Sequence, residues 1–184
     1  MASTLNLPNS ITVARIALVP IFIALLFAAP ERQSWQRWFA VFFFVLAIST
    51  DGIDGAIARK RNLVTNLGKL LDPIADKALI GGALVSLSIL GDLSWYITAA
   101  ILIRELGITI YRLIVAKRRV LAASGGGKFK TIIQSIAIGF LISPLDSYFG
   151  WLKPVELVLV YTALIATIVT GLQYIDAELK LRKK

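Results

Sequence analysis

The chain has 184 residues, of which 57% are hydrophobic and 17% charged, with a formal net charge of +9 and a mean hydropathy of +0.76. A soluble domain needs more surface charge than this, so the composition is typical of an integral membrane protein. The chain has no cysteine and no histidine, which excludes thiol nucleophiles, disulfides, imidazole bases and cysteine or histidine zinc sites. Any proton transfer must then use a carboxylate, a lysine or a tyrosine.

Six apolar segments of helix length follow one another, at residues 11–29, 36–60, 68–91, 93–117, 128–147 and 154–176. About 20 helical residues cross a hydrocarbon core of about 30 Å, so we predict an all-α integral membrane protein with six transmembrane helices. We expect a single domain over residues 1–184, whose first segment is a retained span because no basic stretch precedes it and no clear cleavage site follows.

Two connecting segments carry local signals of their own. The LNLPNS stretch before the first span predicts a short interfacial segment and a helix N-cap at Asn9 or Ser10. The AASGGG stretch at residues 122–127 predicts a flexible linker.

Basic residues predict the orientation in the membrane. The opposite loops hold only three of them, Arg32, Arg37 and Lys153, whereas 13 lie at the other set of helix ends: Arg59, Lys60, Arg61, Lys69, Lys117, Arg118, Arg119, Lys128, Lys130, Lys180, Arg182, Lys183 and Lys184. The positive-inside rule then predicts that both termini lie in the cytoplasm. We expect the membrane to be the cytoplasmic membrane of the cell. The net charge favours contact with anionic lipid head groups, and we expect no nucleic-acid partner.

Four of the eleven acidic residues lie between Asp51 and Asp76. Asp51 and Asp54 are three positions apart and Asp72 and Asp76 four apart, so each pair projects from one face of its helix. The second and third spans bring both pairs to the same cytoplasmic depth. Unpaired carboxylates near lipid are costly, and all-oxygen ligands select Mg²⁺ or Mn²⁺, with Ca²⁺ as a competitor.

Simpler interpretations of these acids stay open. Asp72 before Pro73 has the pattern of an ordinary N-cap, and Asp51 is compatible with the solvent-exposed end of an apolar helix. Arg59 and Lys77 are candidate salt-bridge partners that would neutralise the carboxylates without a metal.

The segment reads Asp51-x-x-Asp54-Gly55-x-x-Ala58-Arg59, eight residues, then Gly68-x-x-x-Asp72-x-x-x-Asp76. In all eight positions it resembles the signature of the CDP-alcohol phosphatidyltransferases. The resemblance implies that Asp51, Asp54 and Asp72 bind the metal ions, and that Asp76 is the general base and also a ligand. It also implies that the CDP-lipid lies against Gly55, Ala58, Arg59 and Gly68, although tight helix packing is the alternative explanation for the small residues.

A second charged cluster predicts a phosphate site. Arg104, Glu105 and Arg112 lie in the fourth span, and Lys128, Lys130 and Thr131 open the fifth. Arg112 and the two lysines converge on the face that carries the carboxylates, where they are suited to hold the phosphate of a small acceptor. Arg104 is assigned to the same site, but an internal ion pair of Arg104 with Glu105 is an equal alternative, because intramembrane charges commonly pair.

The opening NLPNSITVARIALVP and the REL and AASGGGKFKT stretches look like the branch of the family that uses sn-glycerol 3-phosphate. That resemblance implies that Asn9, Thr12 and Arg15 approach the nucleotide. It implies transfer of a phosphatidyl group from CDP-diacylglycerol to sn-glycerol 3-phosphate, by an enzyme that forms a homodimer. Inositol phosphate and phosphatidylglycerol are alternative acceptors. An ion-coupled transporter is a weaker alternative, since no internal repeat is evident, and a purely structural scaffold would leave the acidic cluster unexplained.

Overall fold

The computed structural model describes residues 7–60, 65–115 and 125–182. Inside the helices it leaves out the side chains of residues 7, 52–60, 66, 69–70, 112–115, 125–128, 178–179 and 181–182. The described ranges are helical, without strands, and contain α1 (Leu7–Phe27), α2 (Trp35–Lys60), α3 (Asn66–Ile89), α4 (Trp95–Val115), α5 (Gly125–Ile142), α6 (Leu145–Tyr148) and α7 (Leu152–Arg182).

The six long helices coincide with the six predicted apolar segments, so the all-α prediction is confirmed. Among the described residues, two helical segments are long and apolar enough to cross a membrane by length and composition, Pro8–Phe27 and Leu152–Ala177, while Phe129–Ile142 is apolar but shorter. Charged side chains interrupt α3 and α4, at Asp72 and Arg104 among others. The count of six crossings therefore stays a prediction.

Three helix boundaries differ from the sequence-based expectation. Helix α1 already begins at Leu7, so the N-cap prediction at Asn9 or Ser10 is wrong, and part of the expected interfacial segment is helical. Helix α5 begins at Gly125, so half of the expected linker belongs to a first helical turn. The same helix ends at Ile142, because Pro144 disfavours helical geometry in the residue before it; the short α6 follows.

The helices pack around one apolar core. Helix α1 contacts α2 and α3 most extensively, and α7 contacts α5 and α4. Phe22 of α1 and Phe44 of α2 are fully buried and in ring contact, with centroids 5.8 Å apart. Small residues such as Ala83 of α3 and Ala163 of α7 let the helices approach closely in this core.

The outer surface of the bundle is apolar at mid-helix. Phe42 of α2, Ile103 of α4 and Ile165 of α7 are 58%, 73% and 60% exposed. A surface of this kind is unfavourable in water but matches a hydrocarbon environment. Aromatic side chains are exposed where α2, α4 and α7 begin, at Trp35, Tyr96 and Trp151, as in the aromatic belts of membrane proteins.

Candidate active site

Asp51 and Asp72 are interior residues of their helices. Helix α2 continues past Asp51 to Lys60, and α3 begins at Asn66, where the hydroxyl of Thr65 accepts a hydrogen bond of 3.0 Å from the backbone N–H of Gly68. Thr65 therefore caps α3, and the alternative interpretations of Asp72 as an N-cap and Asp51 as a helix end are wrong. The Asp-Pro pair imitates a cap, but it lies within the second turn of the helix.

Two side chains of α1 contact the carboxylates of Asp51 and Asp72. The Thr12 hydroxyl lies 2.9 Å from Asp72 Oδ1 and 3.1 Å from the carbonyl oxygen of Pro8, and Arg15 Nη1 is paired with Asp51 Oδ1. Thr12 and Arg15 are each only 1% exposed, whereas the Asp51 side chain is 53% exposed. The two α1 residues, predicted to approach the nucleotide, thus contact the carboxylates and fix their orientation.

Gly68 lies where α3 passes close to α1. A Cβ atom at this position would be 2.8 Å from Asn9 Oδ1 and 3.2 Å from Thr65 Oγ1. Asn9 is buried and accepts a hydrogen bond of 3.0 Å from Thr65, so it has little room to move. Close helix packing, the alternative explanation for this glycine, therefore accounts for Gly68 in the structure.

Several predicted site residues lie outside the described side chains. They sit in the last third of α2, at the C-terminal end of α4 and in the first turn of α5. They are Asp54, Gly55, Ala58, Arg59, Arg112 and Lys128.

The acidic residues fit a hard divalent cation in their chemistry. Among the described side chains no group of three acids is close enough to hold a metal ion, and Asp54 is not among them. The described contacts of Asp51 and Asp72 each use Oδ1, and a carboxylate offers two oxygens. An all-oxygen, all-carboxylate donor set suits Mg²⁺ or Mn²⁺ and disfavours zinc.

A narrow cleft between α3, α4 and α5 has residues of both predicted clusters in its lining. Asp76, the predicted base, lines it together with Lys130 and Thr131, two of the predicted acceptor residues. Lys130 is only 4% exposed. The structure thus places a carboxylate and a buried ammonium group around the same small space.

Arg104 lies outside the lining of this cleft. Its Nη1 donates to Glu105 Oε1 at 2.9 Å, and its Nη2 donates to the Thr170 hydroxyl of α7 at 2.8 Å. The internal ion pair of Arg104 with Glu105, considered as an alternative, is therefore present. Of the predicted acceptor residues with described side chains, Lys130 and Thr131 are together and Arg104 is separate.

Three polar cleft residues received no site assignment from the sequence: Lys77, Glu105 and Gln134. Gln134 follows Lys130 by four positions, so helical spacing alone could have placed it on the same face of α5. Lys77 directly follows Asp76, and its position in the sequence indicates only a salt-bridge partner. Adjacency in the sequence indicates only Arg104 as a partner of Glu105, because nothing in the sequence shows that Lys130 lies beside it.

The sequence matches the model of the CDP-alcohol phosphatidyltransferase family over residues 5–170. The chain therefore belongs to this family of membrane-bound transferases of phospholipid biosynthesis. It is 43% identical over 175 residues to a "Probable phosphatidylglycerophosphate synthase" of Mycobacterium tuberculosis H37Rv, covering 95% of this chain and 82% of the relative.

Two further relatives have more specific names. The "CDP-diacylglycerol--glycerol-3-phosphate 3-phosphatidyltransferase" of Bacillus subtilis is 37% identical over 179 residues, covering 92% of this chain and 93% of the relative. The protein of the same name from Shigella flexneri is 34% identical over 178 residues, covering 94% of each chain. The family resemblance seen in the aspartate signature is thus confirmed.

Proposed function

We propose that this chain transfers a phosphatidyl group from CDP-diacylglycerol to sn-glycerol 3-phosphate, giving phosphatidylglycerophosphate and CMP. The observation that carries the proposal is the cleft shared by Asp76 and Lys130, where a carboxylate suited to take a proton lies near an ammonium group suited to hold a phosphate. The names of the relatives from Bacillus subtilis and Shigella flexneri support the choice of substrates.

Asp76 acts as the general base in this reaction. It takes the proton from the primary hydroxyl of sn-glycerol 3-phosphate, and the oxygen attacks the phosphorus that carries diacylglycerol. The bond from that phosphorus to the oxygen of the CMP phosphate breaks, and CMP leaves with the electron pair. The acceptor phosphate is held by Lys130 and Thr131, with Arg112 and Lys128 as further proposed ligands. No covalent enzyme intermediate is needed.

Mg²⁺ or Mn²⁺ is the proposed cofactor, with Asp51, Asp54, Asp72 and Asp76 as its ligands. When bound, such an ion neutralises the diphosphate and the charge that develops on departing CMP. Thr12 and Arg15 support Asp72 and Asp51 by their contacts from α1. These contacts keep the carboxylates in place before any ligand arrives, which lowers the cost of binding.

The CDP-lipid is proposed to lie along α2. Gly55, Ala58 and Arg59 would face the nucleotide, and Asn9, Thr12, Arg15 and Gly68 would shape its site from α1 and α3. An apolar groove between α2 and α5 extends from Trp38 to Ser49, two residues before Asp51. We assign the acyl chains to this groove, because it leads along the apolar part of α2 to the first aspartate.

The proposed enzyme spans the cell membrane six times, with both termini and the active site on the cytoplasmic side. The distribution of basic residues supports this orientation. It works as a homodimer, as the family resemblance implies. Chemical cross-linking in native membranes would test the dimer, and reporter fusions at the two termini would test the orientation.

The test of the reaction is CMP release by the purified chain with CDP-diacylglycerol and Mg²⁺ or Mn²⁺. We expect metal-dependent release with sn-glycerol 3-phosphate and none with inositol phosphate or phosphatidylglycerol. D76N should lower kcat by at least about 100-fold, the usual contribution of a general base, while CDP-diacylglycerol binding persists. The matched control is D176N, which removes an acid from an exposed pair with Lys180.

Each contrary outcome has a distinct meaning. Release with another acceptor would keep the carboxylate mechanism and change the substrate. Normal turnover by D76N would refute its role as the base. Ion flux without CMP formation in proteoliposomes would support the transporter instead.

A further inference from the structure

One carboxylate oxygen at the wall of the cleft joins two cations from different helices. Glu105 Oε1 of α4 is paired with Lys130 Nζ of α5, and it accepts a hydrogen bond of 2.9 Å from Arg104 Nη1. Arg104 in turn donates to the Thr170 hydroxyl of α7 at 2.8 Å. Glu105 therefore links Lys130 to a third helix through Arg104.

The Arg104 side chain lies against the α7 backbone on one side. A Cβ atom at Gly171 of α7 would lie 3.3 Å from Arg104 Cγ and 3.6 Å from Arg104 Nε. The α7 backbone thus lies directly against Arg104, and the guanidinium cannot move in that direction. Because the hydrogen bond from Arg104 holds the Glu105 carboxylate in place, this carboxylate provides a defined position for the ammonium group of Lys130.

Lys130 needs such a partner. Its residue is 4% exposed, and a buried ammonium group on a flexible four-carbon chain is costly unless it is paired. An ammonium group has three N–H donors, so pairing with Glu105 leaves capacity for a phosphate. Glu105 itself is unsuited to contact an anionic acceptor, because like charges repel at close range.

We infer that Glu105 is a positioning residue for acceptor binding: through its ion pair, it holds the Lys130 ammonium group at the place in the cleft where the acceptor phosphate binds. This inference rests on the proposed function, in which Lys130 contacts that phosphate. It assigns Glu105 no direct contact with substrate and no part in proton transfer.

The experiment measures CMP release by the full-length chain in detergent as a function of the concentrations of sn-glycerol 3-phosphate and CDP-diacylglycerol. E105Q should raise KM for sn-glycerol 3-phosphate by about 10-fold, the size expected when a binding group loses a supporting contact. The KM for CDP-diacylglycerol and kcat should change less than about twofold. An unchanged KM for sn-glycerol 3-phosphate, or an equal rise for both substrates, would overturn the inference.

A double-mutant cycle with K130Q separates positioning from a general disturbance of the fold. If Glu105 acts through Lys130, E105Q should add nothing to the KM for sn-glycerol 3-phosphate in the K130Q background. Independent, multiplicative effects of the two substitutions would contradict this. The matched control is E156Q, which makes the same change at the buried Glu156, 2% exposed, at the opposite end of the bundle; KM for sn-glycerol 3-phosphate should stay at the wild-type value.

A second variant and the activity of the wild-type chain cover the remaining outcomes of this experiment. If E105Q does not remain folded, E105D retains the charge on a shorter side chain. A raised KM for sn-glycerol 3-phosphate in E105D would support positioning, and a wild-type value would refute it. Failure of the proposed function is distinguishable, because the wild-type chain would then release no CMP with sn-glycerol 3-phosphate at all.

Discussion

At the end of the bundle where α1 begins, side chains of α1 contact Oδ1 of Asp51 and Oδ1 of Asp72, and the Asp51 side chain is about half exposed. At the opposite end, acids and bases from the loops after α1 and α3 and from helices α2, α6 and α7 form a compact ionic network. It consists of three basic and three acidic residues: Arg32, Arg37, Lys153, Asp92, Asp146 and Glu156.

Arg32 lies at the centre of this opposite network. Its Nη1 is 2.7 Å from Asp92 Oδ1, and its Nη2 is 2.9 Å from Asp146 Oδ1 and 3.5 Å from Glu156 Oε2. Burial opposes the charge of the guanidinium, but Asp92 first, and then Asp146 and Glu156, raise its pKa above the ordinary value. Arg32 thus remains charged, and it ties the loop after α1 to the loop after α3, to α6 and to α7.

The comparison shows two uses of buried charge in one fold. The opposite network has equal numbers of positive and negative groups, so it can stabilise the bundle without further ligands. The carboxylates near α1 are held in orientation and remain suited to bind a cation and a polar substrate. Substitutions in the opposite network should therefore change stability, and substitutions beside the carboxylates near α1 should change activity.

The largest stability effect is expected for R32Q. This variant removes one partner from three acids and leaves them with the remaining contacts of Arg37 and Lys153, so we expect a loss of about 3 kcal/mol in the free energy of unfolding. Tryptophan fluorescence during thermal unfolding in detergent would measure it. At a temperature where both proteins are folded, CMP release should match the wild type.

The matched control for R32Q is K180Q, which removes a base from an exposed pair with Asp176. Surface pairs of this kind contribute little, so the unfolding midpoint should be nearly unchanged. A loss of CMP release by folded R32Q at low temperature would contradict the separation of the two ends.

T12V should change stability less than R32Q does, and activity more. This substitution keeps the shape of the side chain and removes the hydroxyl beside Asp72. The free energy of unfolding should fall by only about 1 kcal/mol, the usual value of one hydrogen bond. Because Asp72 is a proposed metal ligand, CMP release at limiting metal concentration should fall by about 10-fold, the usual effect of losing a supporting contact of such a ligand.

T162V provides the control for T12V, since the Thr162 hydroxyl donates to the Val158 carbonyl oxygen on the exposed face of α7. Its activity should equal that of the wild type. If T12V lowered stability strongly and left the metal dependence unchanged, Thr12 would serve the fold and not the carboxylates.

The features of this molecule that depend on local sequence pattern could be predicted from the sequence. Apolar segments predicted the six long helices, and aspartate spacing predicted the family. The opposite network could not be predicted, because Asp92, Asp146 and Glu156 lie apart from Arg32 in the sequence and only the fold brings them to it. The supporting contacts of Thr12 and Arg15 were missed for the same reason: side chains were expected to face a ligand, whereas the packing of α1 turns them toward the carboxylates.

The smallest effect concerns the pH dependence of stability at Asp146, in α6. Burial opposes its ionisation, but the hydrogen bond and charge of Arg32, followed by the charge of Lys153, lower the pKa of this carboxyl below its ordinary value. An acid with a lowered folded-state pKa stabilises the fold fully above its unfolded pKa, about 3.9. That contribution is lost as the pH falls through the lower folded-state pKa.

D146N removes this contribution at every pH. We therefore expect its unfolding midpoint to lie below that of the wild type at pH 7, and the gap to narrow as the pH falls below about 4. D176N, changed at the exposed pair with Lys180, should show little gap at pH 7. A gap for D146N that stayed constant down to acid pH would mean that Asp146 contributes through packing and not through its charge, and the opposite end would then depend less on ion pairing than its geometry indicates.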